Sequence, residues 1–403
     1  MELPRQEKEN KAGLPPLFYR FMFSRVLTGI SISSFILFFM WDIVSRYHSV
    51  FLAGMMITIY VAVALILSFP IGHLIDRLKN TTLNFLSSAV ILGGFAVLIT
   101  GGNIFSIYAA TAISVFGQTI KLDSFSAIIK KHVQEGSFKK ANSFSFAANS
   151  ASSLLGTLIG GFSIVYLQGY FVYLLLAITA ISIFLSLPIA ERAYKHEGGG
   201  RAVLGEMKAV GSFVWSIAGI LILAFFLNGL LISLDTYSSG IFNLLLKSSP
   251  IYYTAFNMCV PLGMMTGTPV ANMGFFKRER PMTIALMMLV FSPFILILAL
   301  SRSPIVDVLD AFAIGLVLPL INIPIITRLM RAVPHEIYGK VMAFLKIFTG
   351  GASPVMGSVF STMALFFSIP LVLFWVAVLV VPLAIYSMRI VPRFFRFNLP
   401  QPK

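Results

Sequence analysis

Long apolar runs broken by short polar gaps set the rhythm of this chain. A helix needs about 20 apolar residues to cross a bilayer, and twelve runs meet that length. They lie at 17–41, 49–70, 82–101, 104–129, 141–165, 169–189, 212–237, 250–273, 282–301, 304–327, 341–364 and 367–390. Turn-forming pairs punctuate them, among them Gly101-Gly102-Asn103, Gln168-Gly169, Ser249-Pro250, Ser303-Pro304 and Ile369-Pro370. Hydrocarbon offers backbone groups no hydrogen bonds, so each run is predicted to be a helix that satisfies its own N–H and C=O groups. Prolines inside the runs, such as Pro261, Pro293, Pro319, Pro324 and Pro354, are tolerable where neighbouring helices compensate. The expected fold is an all-α integral membrane protein with twelve transmembrane helices in two six-helix halves.

The halves are divided by the longest connection, 190–211, a charged linker that contains Gly198-Gly199-Gly200. This gives a tail at 1–16, a bundle at 17–189, the linker at 190–211, a second bundle at 212–390 and a tail at 391–403. A weak repeat supports the division: Val133 and Lys140 align with Val333 and Lys340 at an offset of 200, and Pro70-Ile71-Gly72 meets Pro269-Val270-Ala271 at 199. Halves related in this way place a substrate site at their interface near mid-membrane.

Composition agrees with a membrane solvent. With 58% hydrophobic residues, 11% charged residues and a mean hydropathy of +0.90, the polar surface could not cover a soluble globule of 403 residues. The net charge of +15 raises the question of nucleic acid, but the basic residues are dispersed among loops rather than gathered on a face. With both termini cytoplasmic, inner segments collect 24 of the 30 lysines and arginines, while the outer loops hold only Arg46, Lys247 and Arg302. That asymmetry fixes the direction of threading. We therefore expect a multi-pass plasma-membrane protein, a monomer, with the lipid bilayer and a small molecule as partners and no nucleic acid. The polar 1–16 segment lacks an apolar signal core and reads as a retained tail. Cys259 is the only cysteine and the five histidines have no ligand spacing, so no metal and no cofactor are expected.

Charge inside the spans is the main source of candidate chemistry, because an ionisable group at mid-bilayer costs at least ~2.5 kcal/mol. Lys121 and Asp123 lie in span four; two positions apart, they cannot face each other on one helix. Arg25 and Lys346 lie in spans one and eleven, where snorkelling to the interface and a cavity role are both open. Together with Asn228 and Asp235 of span seven, Arg25, Lys121 and Lys346 are the substrate-cavity candidates. Asp123 and Asp310 are the proton-coupling candidates, since burial favours the neutral acid and lets a carboxylate take up and release a proton. For Asp235 and Asp307 the exposed end of a helix is the expected setting. Gly156 and Gly160, spaced as small-x-x-x-small, and the adjacent Gly161 read as a helix-packing face.

Between spans two and three stands Pro70-Ile-Gly-His-Leu-Ile-Asp-Arg-Leu-Lys-Asn80. A gap this short holds no domain; it is either an ordinary basic loop or a charged latch. Gly72, Leu74, Asp76 and Arg77 match the Gly-x-Leu-x-Asp-Arg element of the major facilitator superfamily, although Lys79-Asn80 replaces the usual glycine and second basic residue. Three further stretches resemble its drug and siderophore efflux branch, which includes macrolide and enterobactin exporters. These are Phe18 to Gly29, Lys140-Ala141-Asn142-Ser143 followed by Gly156, Gly160 and Gly161, and Val333-Pro334 leading to Gly339-Lys340-Val341. The resemblance implies alternating access, with spans one, four, seven and ten lining a cavity. It also implies a latch in which Gly72, Asp76, Arg77 and Lys79 engage the start of span eleven at Gly339 and Lys340, favouring an outward-open state. Phe275 occupies the equivalent position in the second half, so the latch is one-sided.

The leading expectation is a secondary active transporter that exports a small amphipathic organic compound in exchange for protons. The alternative is an organic-anion transporter with a cationic cavity built from Arg25, Lys121 and Lys346, running in either direction. A non-transporting receptor or scaffold is the alternative from another class. An enzyme is not expected: no phosphate-binding loop, metal cluster or nucleophile with its base is present in the sequence.

Overall fold

A computed structural model of the protein describes residues 14–134, 137–188, 214–271, 281–332 and 338–396, together with Gly211 and Met273. Twelve helices of 15 residues or more account for most of it. In chain order they are α1 (Pro16–Tyr47), α2 (Val50–Arg77), α3 (Asn80–Ala96), α4 (Ile104–His132), α5 (Phe138–Tyr166) and α6 (Phe171–Leu185). The rest are α7 (Ala218–Gly240), α8 (Pro250–Ala271), α9 (Pro281–Leu300), α10 (Pro304–Ala332), α11 (Tyr338–Phe366) and α12 (Ile369–Arg396). α3 tightens into a 3₁₀ turn at Val97–Thr100, and α7 widens into a π-helical turn at Ile241–Leu245. The fold is that of an all-helical membrane protein. The linker 190–210, the tails 1–13 and 397–403, Phe275 and Val333-Pro334 lie outside the described residues.

Eight of the helices are both long and apolar enough to cross a membrane by themselves. α4 falls short because Lys121 and Asp123 dilute it; α6, at 15 residues, is apolar but short. Helix ends follow local chemistry. Gly102 adopts φ +58°, and Asn103 then caps α4, its side-chain oxygen accepting from the Ser106 N–H at 2.9 Å. Between α2 and α3 the structure departs from expectation. Apolar length places the end of span two at residue 70, yet the helix continues through Pro70 to Arg77, leaving Leu78 and Lys79 as the connection. The charged segment lacks a glycine or proline at its end to stop the helix, so α2 runs on past its apolar part.

The chain divides into two compact units. One holds the chain up to Asp42 and the stretch from Ala62 to the end of α6; the other holds Ile43–Val61 and everything from α7 onward. In the first unit, α1 and α5 meet through small residues. A Cβ on Gly156 would lie 2.7 Å from the Ile30 carbonyl oxygen, and one on Gly160 would lie 2.8 Å from that of Ser34. Ser34 also donates to the Gly156 carbonyl at 2.8 Å, and Gly161 is buried beside this contact. Close approach here rests on van der Waals packing and hydrogen bonding, because lipid supplies no hydrophobic drive between helices.

In the second unit α8 and α10 approach more closely still. A Cβ on Gly263 would strike the Phe312 carbonyl, and one on Gly315 would strike that of Val260. α7 is tied to α11 by the Tyr237 hydroxyl, which donates to the Phe360 carbonyl at 2.7 Å, and α9 to α12 by Ser292 donating to the Ala377 carbonyl at 2.8 Å. The segment Ile43–Val61 joins this unit through contacts of its own. Asn243 donates to the Ser45 hydroxyl at 2.5 Å, and Gly54 abuts Ser361 and Thr236. Gly315→Ala should therefore lower the detergent melting temperature, with an overpacking cost of ~1–3 kcal/mol. Gly93→Ala, where an added Cβ meets nothing within 4 Å, should leave the melt unchanged or raise it.

Candidate functional site

The first unit contains a polar knot built around Lys121 on α4. Its side chain is 1% exposed. The ammonium donates to Ser88 Oγ at 2.5 Å, Ser24 Oγ at 2.7 Å and Asn84 Oδ1 at 3.4 Å. These acceptors come from α1 and α3, and serines of α6 extend the network: Ser24 Oγ lies 2.8 Å from Ser182 Oγ, and Ser88 Oγ lies 3.1 Å from Ser186 Oγ. Lys121 thus fills all three of its donor positions with neutral oxygens, and four helices share one charge. The partner expected for Lys121 away from its own helix is a set of three neutral side chains on α1 and α3. Ser24, Ser88 and Ser182 lie in the middle of apolar runs, where hydroxyls are costly unless paired; that was the available signal.

Beside the knot is a small pocket lined by Arg25, Thr28, Gln118, Lys121, Asn149 and Ser152. Its free volume of ≈ 20 Å³ admits a water-sized group. The Arg25 guanidinium lies over the Phe125 ring, 5.1 Å from its centroid, an attraction between cation and ring quadrupole. Two of the cavity candidates, Arg25 and Lys121, are therefore brought together. Asp123, on the same helix as Lys121, is half-buried. Near the start of α1, Arg20 donates to the carbonyls of Leu185 and Leu187 at 3.0 Å, capping the end of α6.

In the second unit the acidic groups of α10 stand out. Asp307 is 0% exposed and Asp310 is 5% exposed. Three positions apart, they share one face of the helix. Neither carboxylate oxygen of Asp307, nor Oδ2 of Asp310, has a hydrogen-bond partner among the described residues. The Ser301 hydroxyl and the Arg302 guanidinium, just before the helix, still act on Asp307, the first as a polar neighbour and the second as a charge. Asp307 was expected at an exposed helix end and is instead buried. α10 begins at Pro304, so Asp307 already belongs to its first turn, on the side that packs inward. Asp235 of α7, by contrast, is exposed, and its charge acts on Tyr253 of α8. Asn228, also on α7 and exposed, donates back to the Ala224 carbonyl at 2.8 Å.

The latch candidates divide between backbone and side chain. Gly72, Asp76 and Arg77 lie in the last two turns of α2, and Gly339 and Lys340 in the first turn of α11; their side chains lie outside the described residues, as does that of Lys346 within α11. Lys79 is exposed in the connection after α2.

A family model described as the Major Facilitator Superfamily matches residues 21–358. The chain belongs to the major facilitator superfamily. It is a multi-pass membrane transporter, not an enzyme. Among solved structures, the nucleoside transporter NupG is similar at 13% identity and a TM-score of 0.74, covering 95% of this chain and 100% of its own. The peptide transporter POT in complex with sulfate aligns at 16% identity and 0.73, covering 98% and 99%. A D-xylose-proton symporter aligns at 14% identity and 0.73, covering 94% and 98%. At these identities the likeness is one of fold. No curated protein sequence matches the chain.

Removing an acceptor from the knot leaves a buried ammonium short of a partner, so Ser88→Ala should cost ~1–3 kcal/mol of stability. In the background of Lys121→Met, which removes the charge, the same change should cost much less. A double-mutant cycle on detergent melts tests this: coupling of ~0.5–3 kcal/mol is expected, and strict additivity would refute the knot as a unit.

Proposed function

We propose that the protein is a proton-coupled secondary transporter that works by alternating access and exports a small amphipathic organic compound across the plasma membrane. The observation that carries proton coupling is the Asp307–Asp310 pair, buried in a membrane helix, with three of its four carboxylate oxygens lacking a hydrogen-bond partner among the described residues. Two adjacent buried carboxylates are costly when both are charged, and a proton taken up by either relieves that cost. If the pair meets one aqueous side at a time, binding and release of that proton become steps of the transport cycle. Asp123 remains a second coupling candidate from the first unit. The D-xylose-proton symporter indicates by its name that this fold can be driven by protons. Export is supported by the stretches that resemble the efflux branch, Phe18 to Gly29, Lys140 to Ser143 and Val333 to Val341. In this reading Gly72, Asp76, Arg77 and Lys79 act with Gly339 and Lys340 as the latch, both termini are cytoplasmic, and the working unit is a monomer. In proteoliposomes, an imposed proton gradient should drive substrate movement by the wild type. Asp310→Asn should abolish the gradient dependence, and Asp307→Asn should reduce it; unchanged pH dependence in both, and in Asp123→Asn, would rule out the coupling role.

A second reading rests on the pocket beside the knot. Arg25 and Lys121 bring two cations to it, and their contacts among the described residues are with neutral oxygens and an aromatic ring. An anionic group on the substrate would supply a counter-charge there. Under this reading Arg25→Gln should weaken binding of organic anions about tenfold or more, the worth of one charge-assisted hydrogen bond. Equal binding of anions and their neutral analogues would exclude it.

A further inference from the structure

We propose that the groove where α9 passes into α10 is a binding site for one anionic phospholipid, with an acyl chain along the groove and the phosphate at Arg302. The groove is lined by Pro293, Leu296, Ile297, Leu300 and Val306, and the turn Ser301-Arg302-Ser303 closes one end. Its volume of ≈ 520 Å³ falls within the range of small-molecule sites. The lining is open to the surroundings: Leu300 is 64% exposed, Val306 44% and Ile297 38%. On a helix pair that spans a membrane, an open apolar concavity of this kind faces acyl chains rather than water. Proline at 293 contributes by presenting a short ring, with no N–H to donate, where a longer side chain would fill the hollow.

Charge decides which lipid. The two serines of the turn are occupied with each other: the Ser303 N–H donates to Ser301 Oγ at 3.1 Å, and the Ser301 hydroxyl donates to the Ser303 carbonyl at 3.3 Å. Arg302 is exposed, and its hydrogen bond is a long one, 3.4 Å to the Ser301 carbonyl. Asp307, on which the Arg302 charge acts, is fully buried, while the guanidinium itself keeps an exposed face. Placed at the helix ends, that face lies at headgroup depth, where a guanidinium takes a phosphate in bidentate fashion. A zwitterionic headgroup carries its own cation beside the phosphate and competes less well for this position. The acyl chain therefore gives the site its shape, and Arg302 gives it selectivity for negative charge.

Native mass spectrometry of the full-length protein, titrated with phosphatidylglycerol and with phosphatidylcholine, tests the site. The wild type should retain one phosphatidylglycerol more tightly than any phosphatidylcholine. Arg302→Gln should weaken that retention about fivefold while leaving phosphatidylcholine unaffected. Ile297→Trp, which fills the groove from an exposed position, should reduce the bound lipid without altering Arg302. The proposal fails if Arg302→Gln retains phosphatidylglycerol as the wild type does, if the two lipids bind the wild type equally, or if Ile297→Trp keeps the lipid at full occupancy. It fails equally if the retained molecule is displaced by a transported amphipathic compound, which would make the groove an entry path for substrate. Melting temperatures of both variants in lipid-free detergent, expected to match the wild type, separate loss of the site from loss of the fold.

Discussion

Hydrocarbon gives a polar group nothing to bond to, and almost every feature of this protein answers that constraint. Backbone amides answer it by helix formation, so twelve long helices make up most of the described residues. Hydroxyl side chains answer it by bonding back along their own helices: Thr111 to the Ile107 carbonyl at 2.8 Å and Ser163 to that of Ile159 at 2.7 Å are two of many. Neither response uses contacts between helices. Those come from small residues, at Gly156 and Gly160 in one unit and at Gly263 and Gly315 in the other, where the missing Cβ lets one backbone rest on the next.

Charges need more than one helix to satisfy them. Lys121 draws on α1 and α3 directly and on α6 through shared serines, so its ammonium binds four helices into one polar network within the first unit. Such a group holds structure because its alternatives are poor: withdrawn from its acceptors it would face hydrocarbon. Asp307 and Asp310 are the opposite case. They are as deeply buried, but their carboxylate oxygens lack comparable partners among the described residues. That contrast is what the proposed proton-coupling role of the two acids rests on. Lability is what a proton-carrying group requires, since a site that satisfies the anion perfectly has no reason to accept a proton.

The superfamily fold sets the frame for these groups without dictating their use. Structures of nucleoside, peptide and xylose transporters share the fold at 13–16% identity. At that distance the helix plan persists while the side chains that meet a substrate differ, so function is read from the polar groups themselves. The groove beside Arg302 and the buried acids a turn away differ in exposure: Val306 on the groove is exposed while Asp307 and Asp310 on the same helix are buried.

Much of this was legible in the residues. Apolar runs of bilayer length located the helices, because the period and length of a membrane span depend on local composition alone. The Gly-x-Leu-x-Asp-Arg element and the twelve-span plan pointed to the superfamily. Hydropathy failed at helix ends, where α2 runs on to Arg77 through polar residues that form helix without being apolar. It failed also at Asp307, whose position near a turn implied exposure while its face of the helix was buried by neighbours far away in the sequence. Lys121 could be marked as costly from its setting, but its acceptors at Ser24, Asn84 and Ser88 lie 33 to 97 residues away. Which helix turns which face toward which neighbour is a property of packing in three dimensions. The sequence by itself determined that charges lie within the spans, because that depends on composition alone; only the tertiary structure decided which of them are buried and which are satisfied, because that depends on neighbours distant in the chain.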